Sequence, residues 1–128
     1  MSRILIIDDD EIFCQSLSQV LRHAGHEVVT ALDGAIALGL YRQEPADLVI
    51  TDLIMPGKEG LETIMELRRM KSDLKIIAVS GGGWVGASEY LTMAQRLGAA
   101  RTLAKPFTTR DILETVSGPL HQESFVTQ

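Results

Sequence analysis

Five short apolar runs alternating with segments of helical period predict an α/β fold, a parallel sheet covered by helices on both faces. Three observations carry this reading. The runs at residues 3–7, 48–51 and 75–79 are unbroken and rich in Ile, Val and Leu, the composition of strands buried on both faces. Each run is followed by turn or capping residues, then by a stretch whose apolar residues recur at intervals of three and four. The strand–helix unit repeats five times, and right-handed crossovers wind such a chain into a doubly wound sandwich.

The elements follow in order. Residues 3–7 form the first strand, ended by Asp8, Asp9, Asp10 and Glu11. A helix over 11–24 carries Phe13, Leu17, Val20, Leu21 and Ala24 at helical spacing, with Asp10 as N-cap and Gly25 as stop. The second strand, 27–31, has Val28 and Val29 at its centre, and the helix over 33–44 carries Ile36 and Leu40 with neighbouring alanines before Pro45 closes it. The third strand, 48–51, delivers Asp52, after which Pro56-Gly57 forces a turn. Leu61, Ile64, Met65 and Leu67 mark a helix over 59–70. The fourth strand, 75–79, leads to Ser80 and three glycines, followed by a helix over 87–97 with Gly98 as its stop. A fifth strand, 100–104, is small in its side chains, and a last helix over 108–120 presents Ile112, Leu113 and Val116. From Gly118 the chain turns polar and aperiodic, so the domain is placed at residues 1–120 and residues 121–128 are expected to fray.

Bulk properties narrow the function. A chain of 128 residues, 45% apolar and 23% charged, suits one globular domain that needs no staples. Its net charge of −5 argues against nucleic acid as a direct partner, because a phosphate backbone calls for a basic face. No apolar run approaches a membrane span, and the N-terminal one is too short for a signal peptide. The single cysteine, Cys14, has no disulfide partner within the chain, which fits a reducing cytoplasm, and its helical setting predicts a buried, structural thiol. His23, His26 and His121 lack ligand spacing and read as surface residues.

In a parallel sheet every strand ends on the same edge, so scattered polar residues become neighbours. Strand one ends at Asp8-Asp9, strand three at Asp52, strand four at Ser80 and strand five at Lys105. Alone, Asp52 is explicable as a turn former. A strand order of 2-1-3-4-5, that of flavodoxin-like sandwiches, would put the ligand crevice between strands one and three and gather Asp8, Asp9 and Asp52 there. Three carboxylates in one crevice repel, and Mg²⁺, which favours carboxylates, waters and phosphate oxygens, is the natural remedy. Lys105 and Ser80 would add a cation and a hydroxyl around a small dianion, with Asp52 as a carboxylate nucleophile forming an acyl phosphate.

Over residues 3–117 the chain resembles the receiver domains of two-component response regulators. The resemblance rests on Asp8-Asp9, Asp52 with Met55-Pro56 and Gly60, Ser80, and Lys105-Pro106-Phe107, which follow in order, each beginning at a strand end. It implies phosphorylation of Asp52 by a histidine kinase or a phosphotransfer protein. It also implies Mg²⁺ held by Asp9 and Asp52 directly, by Asp8 partly through water, and by the backbone carbonyl of Ile54. A cis peptide between Lys105 and Pro106 would aim the lysine inward. The protein would be a stand-alone regulator, acting through the face of helix four, strand five and helix five or as a relay intermediate, without direct contact with nucleic acid or membrane.

Two features depart from that family's pattern. Thr102 stands where an aromatic switch residue is common, and the spacing from Ser80 to Lys105 is longer by about three residues, an addition located in Gly81-Gly82-Gly83-Trp84-Val85-Gly86. The glycines could cradle an anion or merely form a flexible insertion. Trp84 reads as a partly exposed loop residue and a candidate for partner contact, and this loop with Thr102 is expected to replace the aromatic switch. Ile54 and Gly83 lack polar side chains to orient an attacking water, which predicts slow loss of phosphoryl. The alternative is a small phosphohydrolase similar to haloacid dehalogenases, with Asp8 as nucleophile, although Glu11 follows Asp10 where Thr or Val is usual and no cap domain or later acidic pair is present. A flavodoxin-like flavin carrier is disfavoured, because three acids after strand one would repel its phosphate.

Overall fold

A computed structural model describes residues 2–53, 60–81, 87–105 and 107–121 of the chain. Ile54, the Gly82-to-Gly86 part of the glycine loop with Trp84, Pro106 and the segment 122–128 lie outside the described residues.

The elements are β1 (Arg3–Ile7), α1 (Glu11–His23), β2 (Glu27–Ala31), α2 (Gly34–Gln43), β3 (Leu48–Asp52), α3 (Gly60–Met70), β4 (Lys75–Gly81), α4 (Ala87–Arg96), β5 (Arg101–Lys105) and α5 (Thr109–His121). The five strands form one parallel sheet in the order β2-β1-β3-β4-β5, as expected. Successive residues of each strand face opposite sides of the sheet, so the solid apolar runs feed two cores at once. Ile4 and Ile6 of β1, with Ile50, Ile77 and Val79, pack under Leu17 and Leu21 of α1 and Ile112 and Val116 of α5. Leu5 and Ile7, with Val49, Ile76 and Ala78, pack under Ala37, Leu38 and Tyr41 of α2, Ile64 and Leu67 of α3 and Ala94 of α4. Burying each such Ile or Leu contributes about 1.5–3 kcal/mol, which is why β3 is buried along its whole length and anchors the edge that carries the site.

Helix phases differ from the periodic reading in two places. Ile36 is 51% exposed and Met65 43% exposed, while Ala37, Leu38 and Tyr41 of α2 and Thr63, Ile64 and Leu67 of α3 are buried. In α2 the N-cap settles the phase: Asp33 accepts a 2.8 Å bond from the Ile36 N–H, and the small Ala37 then lies against the sheet. The stops fall as expected, with Gly25 and Gly98 at φ of +99° and +95°, a conformation that glycine adopts without penalty.

Boundaries shift by one or two residues. β4 continues two residues past Val79, pairing Ser80 with Ala104 and Gly81 with Lys105, so Ser80 lies within the strand. β5 accordingly begins at Arg101 and ends at Lys105. α5 runs through Gly118 and Pro119 to His121, one residue past the expected end at 120. Pro119 has no N–H to donate, so the helical ladder loses one bond at that position.

Candidate functional site

The site lies on the carboxyl edge of the sheet, where β1, β3, β4 and β5 end side by side. Asp8 follows β1 and is almost fully buried at 1% exposure. Both of its carboxylate oxygens are engaged. Oδ1 accepts a 2.9 Å bond from the Asp10 N–H, and Oδ2 meets the Lys105 ammonium at 2.8 Å. Burial nevertheless dominates and holds the Asp8 carboxyl above its ordinary value, against the downward pull of Lys105 and of the Asp10 N–H. The neighbouring Asp9 charge pushes it up further.

Asp10 caps α1, its Oδ1 accepting a 3.1 Å bond from the Phe13 N–H. That cap fixes the direction in which the helix leaves the crevice. Cys14, one residue further, is buried and its thiol lies 3.3 Å from the Asp8 carbonyl oxygen. Burial, aided by the charges of Asp8 and Asp10, pushes the thiol up to about 11, so it is an inert packing group, as its helical setting predicts.

Asp52 ends β3 beside Asp8 and Asp9, and the three carboxylates each place an oxygen within 4.8 Å of the others. Asp52 Oδ1 accepts a 2.9 Å bond from its neighbour, the Leu53 N–H, and the buried Thr51 hydroxyl donates to the Asp52 carbonyl at 2.9 Å. Gly60 closes over this turn. Its N–H donates to the Leu53 carbonyl at 3.1 Å, and a Cβ at this position would stand 2.0 Å from the Asp52 carbonyl oxygen. Only glycine permits that approach of α3 to the tip of β3. Gly60 is part of the sequence motif, but the reason for it is visible only in three dimensions.

Ser80 and Lys105 complete the rim. Register places Val79 opposite Asp52 and Lys105 opposite Gly81, so Ser80 sits one step beyond Asp52 and one before Lys105. Ser80 is 1% exposed, and its hydroxyl has no hydrogen-bond partner among the described residues. A buried hydroxyl left unbonded costs about 1–3 kcal/mol; the Ser18 hydroxyl in α1 is unbonded too, and Ser80 differs in standing at the carboxyl edge beside the three carboxylates. Lys105 Nζ also lies 3.9 Å from the centre of the Phe13 ring, and Phe107 meets that ring edge-on at 5.8 Å and 81°. Phe13 reads in the sequence as one member of an apolar helix face. Nothing in the chain's local pattern marks it as a partner of a lysine at the far end.

A hard divalent cation fits this donor set: three converging carboxylates, crowded enough that burial holds Asp8 above its usual range, form the oxygen-rich cluster that Mg²⁺ accepts. The Ile54 carbonyl, the Lys105–Pro106 peptide and the glycine-rich loop that complete the sequence expectation lie outside the described residues. His23 is exposed, and His26, half-buried and lowered by desolvation, joins no ligand group among the described residues.

A doubly wound 2-1-3-4-5 sheet with an acidic crevice, a lysine and a buried hydroxyl at its carboxyl edge defines the receiver class of signalling domain. The sequence comparisons agree. The chain belongs to the response regulator receiver domain family, whose profile matches residues 4–117. It is 35% identical over 114 residues to a response regulator receiver protein of Anaeromyxobacter sp. (strain Fw109-5), covering 89% of this chain and 47% of that protein. It is 32% identical over 120 residues to the transcriptional regulatory protein PrrA of Mycobacterium tuberculosis, covering 94% of this chain and 50% of that one. A crystal structure of a response regulator receiver domain protein from Clostridium thermocellum superposes with a TM-score of 0.89 at 26% identity, over 98% of this chain and 99% of that one. The chain thus spans about half the length of these curated relatives. Among the described residues no helix is long and apolar enough to cross a membrane.

Proposed function

We propose that Asp52 accepts a phosphoryl group from a histidine kinase or a histidine phosphotransfer protein, and that the acyl phosphate switches partner binding or passes the group on. The observation that carries this reading is the meeting of Asp52, Asp8 and Asp9 within 4.8 Å beside a lysine and an unbonded buried serine. An Asp52 carboxylate oxygen attacks phosphorus, the phosphorus–nitrogen bond to the donor imidazole breaks, and its electron pair leaves with the nitrogen, which takes up a proton.

Each residue has a separable part. Asp8, Asp9 and Asp52 would hold Mg²⁺, with the Ile54 carbonyl as a further ligand. The ion, when bound, supplies positive charge to the transferring phosphoryl oxygens. The Ser80 hydroxyl donates to one phosphoryl oxygen, which satisfies its unmet bond. The Lys105 ammonium exchanges its Asp8 partner for another of these oxygens. That exchange moves the tip of β5 relative to β1, and we place the resulting signal on the face of α4, β5 and α5.

The test is acetyl phosphate with Mg²⁺ on wild type, Asp52→Asn and Asp8→Asn. Labelling that is abolished in Asp52→Asn, labile to hydroxylamine and slow to decay supports the reading. Label carried by Asp8, with continuous release of phosphate, would favour a phosphohydrolase instead.

A further inference from the structure

Four residues at the crevice form a closed circuit of contacts. The Asp10 N–H donates to Asp8 Oδ1 at 2.9 Å, the Phe13 N–H donates to Asp10 Oδ1 at 3.1 Å, Lys105 Nζ lies 3.9 Å from the Phe13 ring centre, and the same Nζ returns to Asp8 Oδ2 at 2.8 Å. The Lys105 ammonium therefore has two partners of different kinds. Asp8 offers a full negative charge that neutralises the lysine, and Mg²⁺ and phosphoryl compete for both members of that pair. The ring face offers only its quadrupole, which attracts the ammonium without cancelling its charge and competes for nothing else in the crevice. Phe107, meeting the ring edge-on at 81°, limits the tilt of that face.

Resting on the phosphoacceptor reading above, we propose that Phe13 is a positioning residue for phosphoryl acceptance: its ring holds Lys105 over the crevice once Asp8 lets go. Without the ring, a lysine released from Asp8 is a flexible four-carbon stem that must be ordered again in each reaction. With it, the ammonium stays near the phosphoryl position with its charge intact. The Asp10 cap contributes by fixing the backbone from which the ring projects.

Packing alone would also account for a half-buried phenylalanine, and the variants are chosen to separate the two roles. Phe13→Leu keeps the apolar bulk and removes the quadrupole, whereas Phe13→Trp keeps a π face. With the full chain, Mg²⁺ and saturating acetyl phosphate, Phe13→Leu is expected to lower the maximal labelling rate about fivefold, equivalent to roughly 1 kcal/mol, and Phe13→Trp to restore it to within about twofold. In the unphosphorylated protein, NMR should show the Lys105 ε-methylene protons shifted upfield by the ring, the shift being lost in Phe13→Leu and kept in Phe13→Trp. Equal rates in wild type and Phe13→Leu, or equal slowing by Leu and Trp, overturn the proposal while leaving Asp52 as the acceptor. A wild-type protein that takes no label ends the phosphoacceptor reading and this proposal with it.

Discussion

The two edges of the sheet solve opposite electrostatic problems. At the amino edge, cations are distributed among acceptors. Arg3 ion-pairs with Glu27 and Glu44, its side chain donates to the Glu44 carbonyl, and its N–H bonds Asp47 Oδ2 at 2.8 Å. Arg68 gathers four backbone carbonyls, donating to Leu97 at 3.1 Å, to Ser72 at 3.2 Å, and to Leu74 and Gly98. At the carboxyl edge, acids crowd one another, Asp8 is held above its ordinary value, and the Ser80 hydroxyl is left unbonded. At the amino edge the two arginines are satisfied and stabilise the fold, although the buried His26 Nδ1 just before β2 is left unbonded. The carboxyl edge stores unfavourable charge and unmet hydrogen bonds that a ligand can relieve.

The largest stability effect should therefore come from the quiet edge. Arg68→Ala removes a side chain that joins the end of α3, the start of β4 and the turn between α4 and β5, and it leaves carbonyls at that junction to find water. A loss of about 2–3 kcal/mol is expected, read as a fall in the urea midpoint. The labelling rate with acetyl phosphate should hardly move, because the hydrogen bonds of Arg68 all lie at the amino edge, away from Asp8, Asp9 and Asp52. Unchanged stability, or a large drop in labelling without unfolding, would break the division between the edges.

The sequence reads this division only halfway. Asp8, Asp9, Asp52, Ser80 and Lys105 are legible because each follows or ends an apolar run, and a parallel sheet carries all strand ends to one edge. Ile36 and Met65 are misplaced because apolar period identifies a helix face only to within a residue, and the cap and the neighbouring strands decide the phase. The extension of β4 to Gly81 is hidden because glycine and serine carry no strand signal, although pairing with Ala104 and Lys105 holds them there. Phe13 beneath Lys105 and Arg68 beneath Gly98 are contacts between distant parts of the chain, set by strand order rather than by any local pattern.

pH gives a second, smaller contrast between the edges. Asp8 has a folded value raised above its ordinary 3.8, so the native chain holds that proton more tightly than the unfolded one. Its ionisation therefore destabilises the fold at neutral pH, and that penalty fades as pH falls through the raised value toward 3.8. Asp73, exposed at the amino edge and hydrogen-bonded to Lys71, is lowered from 3.8, so its contribution has the opposite sign and is lost only at more acid pH. Asp8→Asn should melt higher than wild type at pH 7, with the gap closing toward pH 4. On the proposed assignment Mg²⁺ is held by the same carboxylates, and it should then raise the melting temperature of wild type more than that of Asp8→Asn. Parallel melting curves for the two proteins across this range, with or without Mg²⁺, would mean that Lys105 fully compensates Asp8.

The smallest stability effect is also the most pointed. Ser80→Ala deletes a buried hydroxyl that makes no hydrogen bond with the described residues. An ordinary buried serine has a partner, and losing it costs about 1 kcal/mol or more. Here the alanine should be neutral or stabilising by up to about 1 kcal/mol, since a desolvated polar group is replaced by a methyl that fits the same space. Labelling should nevertheless slow by about tenfold, because the proposed donor to the phosphoryl oxygen is gone. A variant that gains or keeps stability while losing rate identifies Ser80 as a group held unsatisfied for its ligand. A variant that loses stability and keeps its rate would place Ser80 with the satisfied residues of the opposite edge.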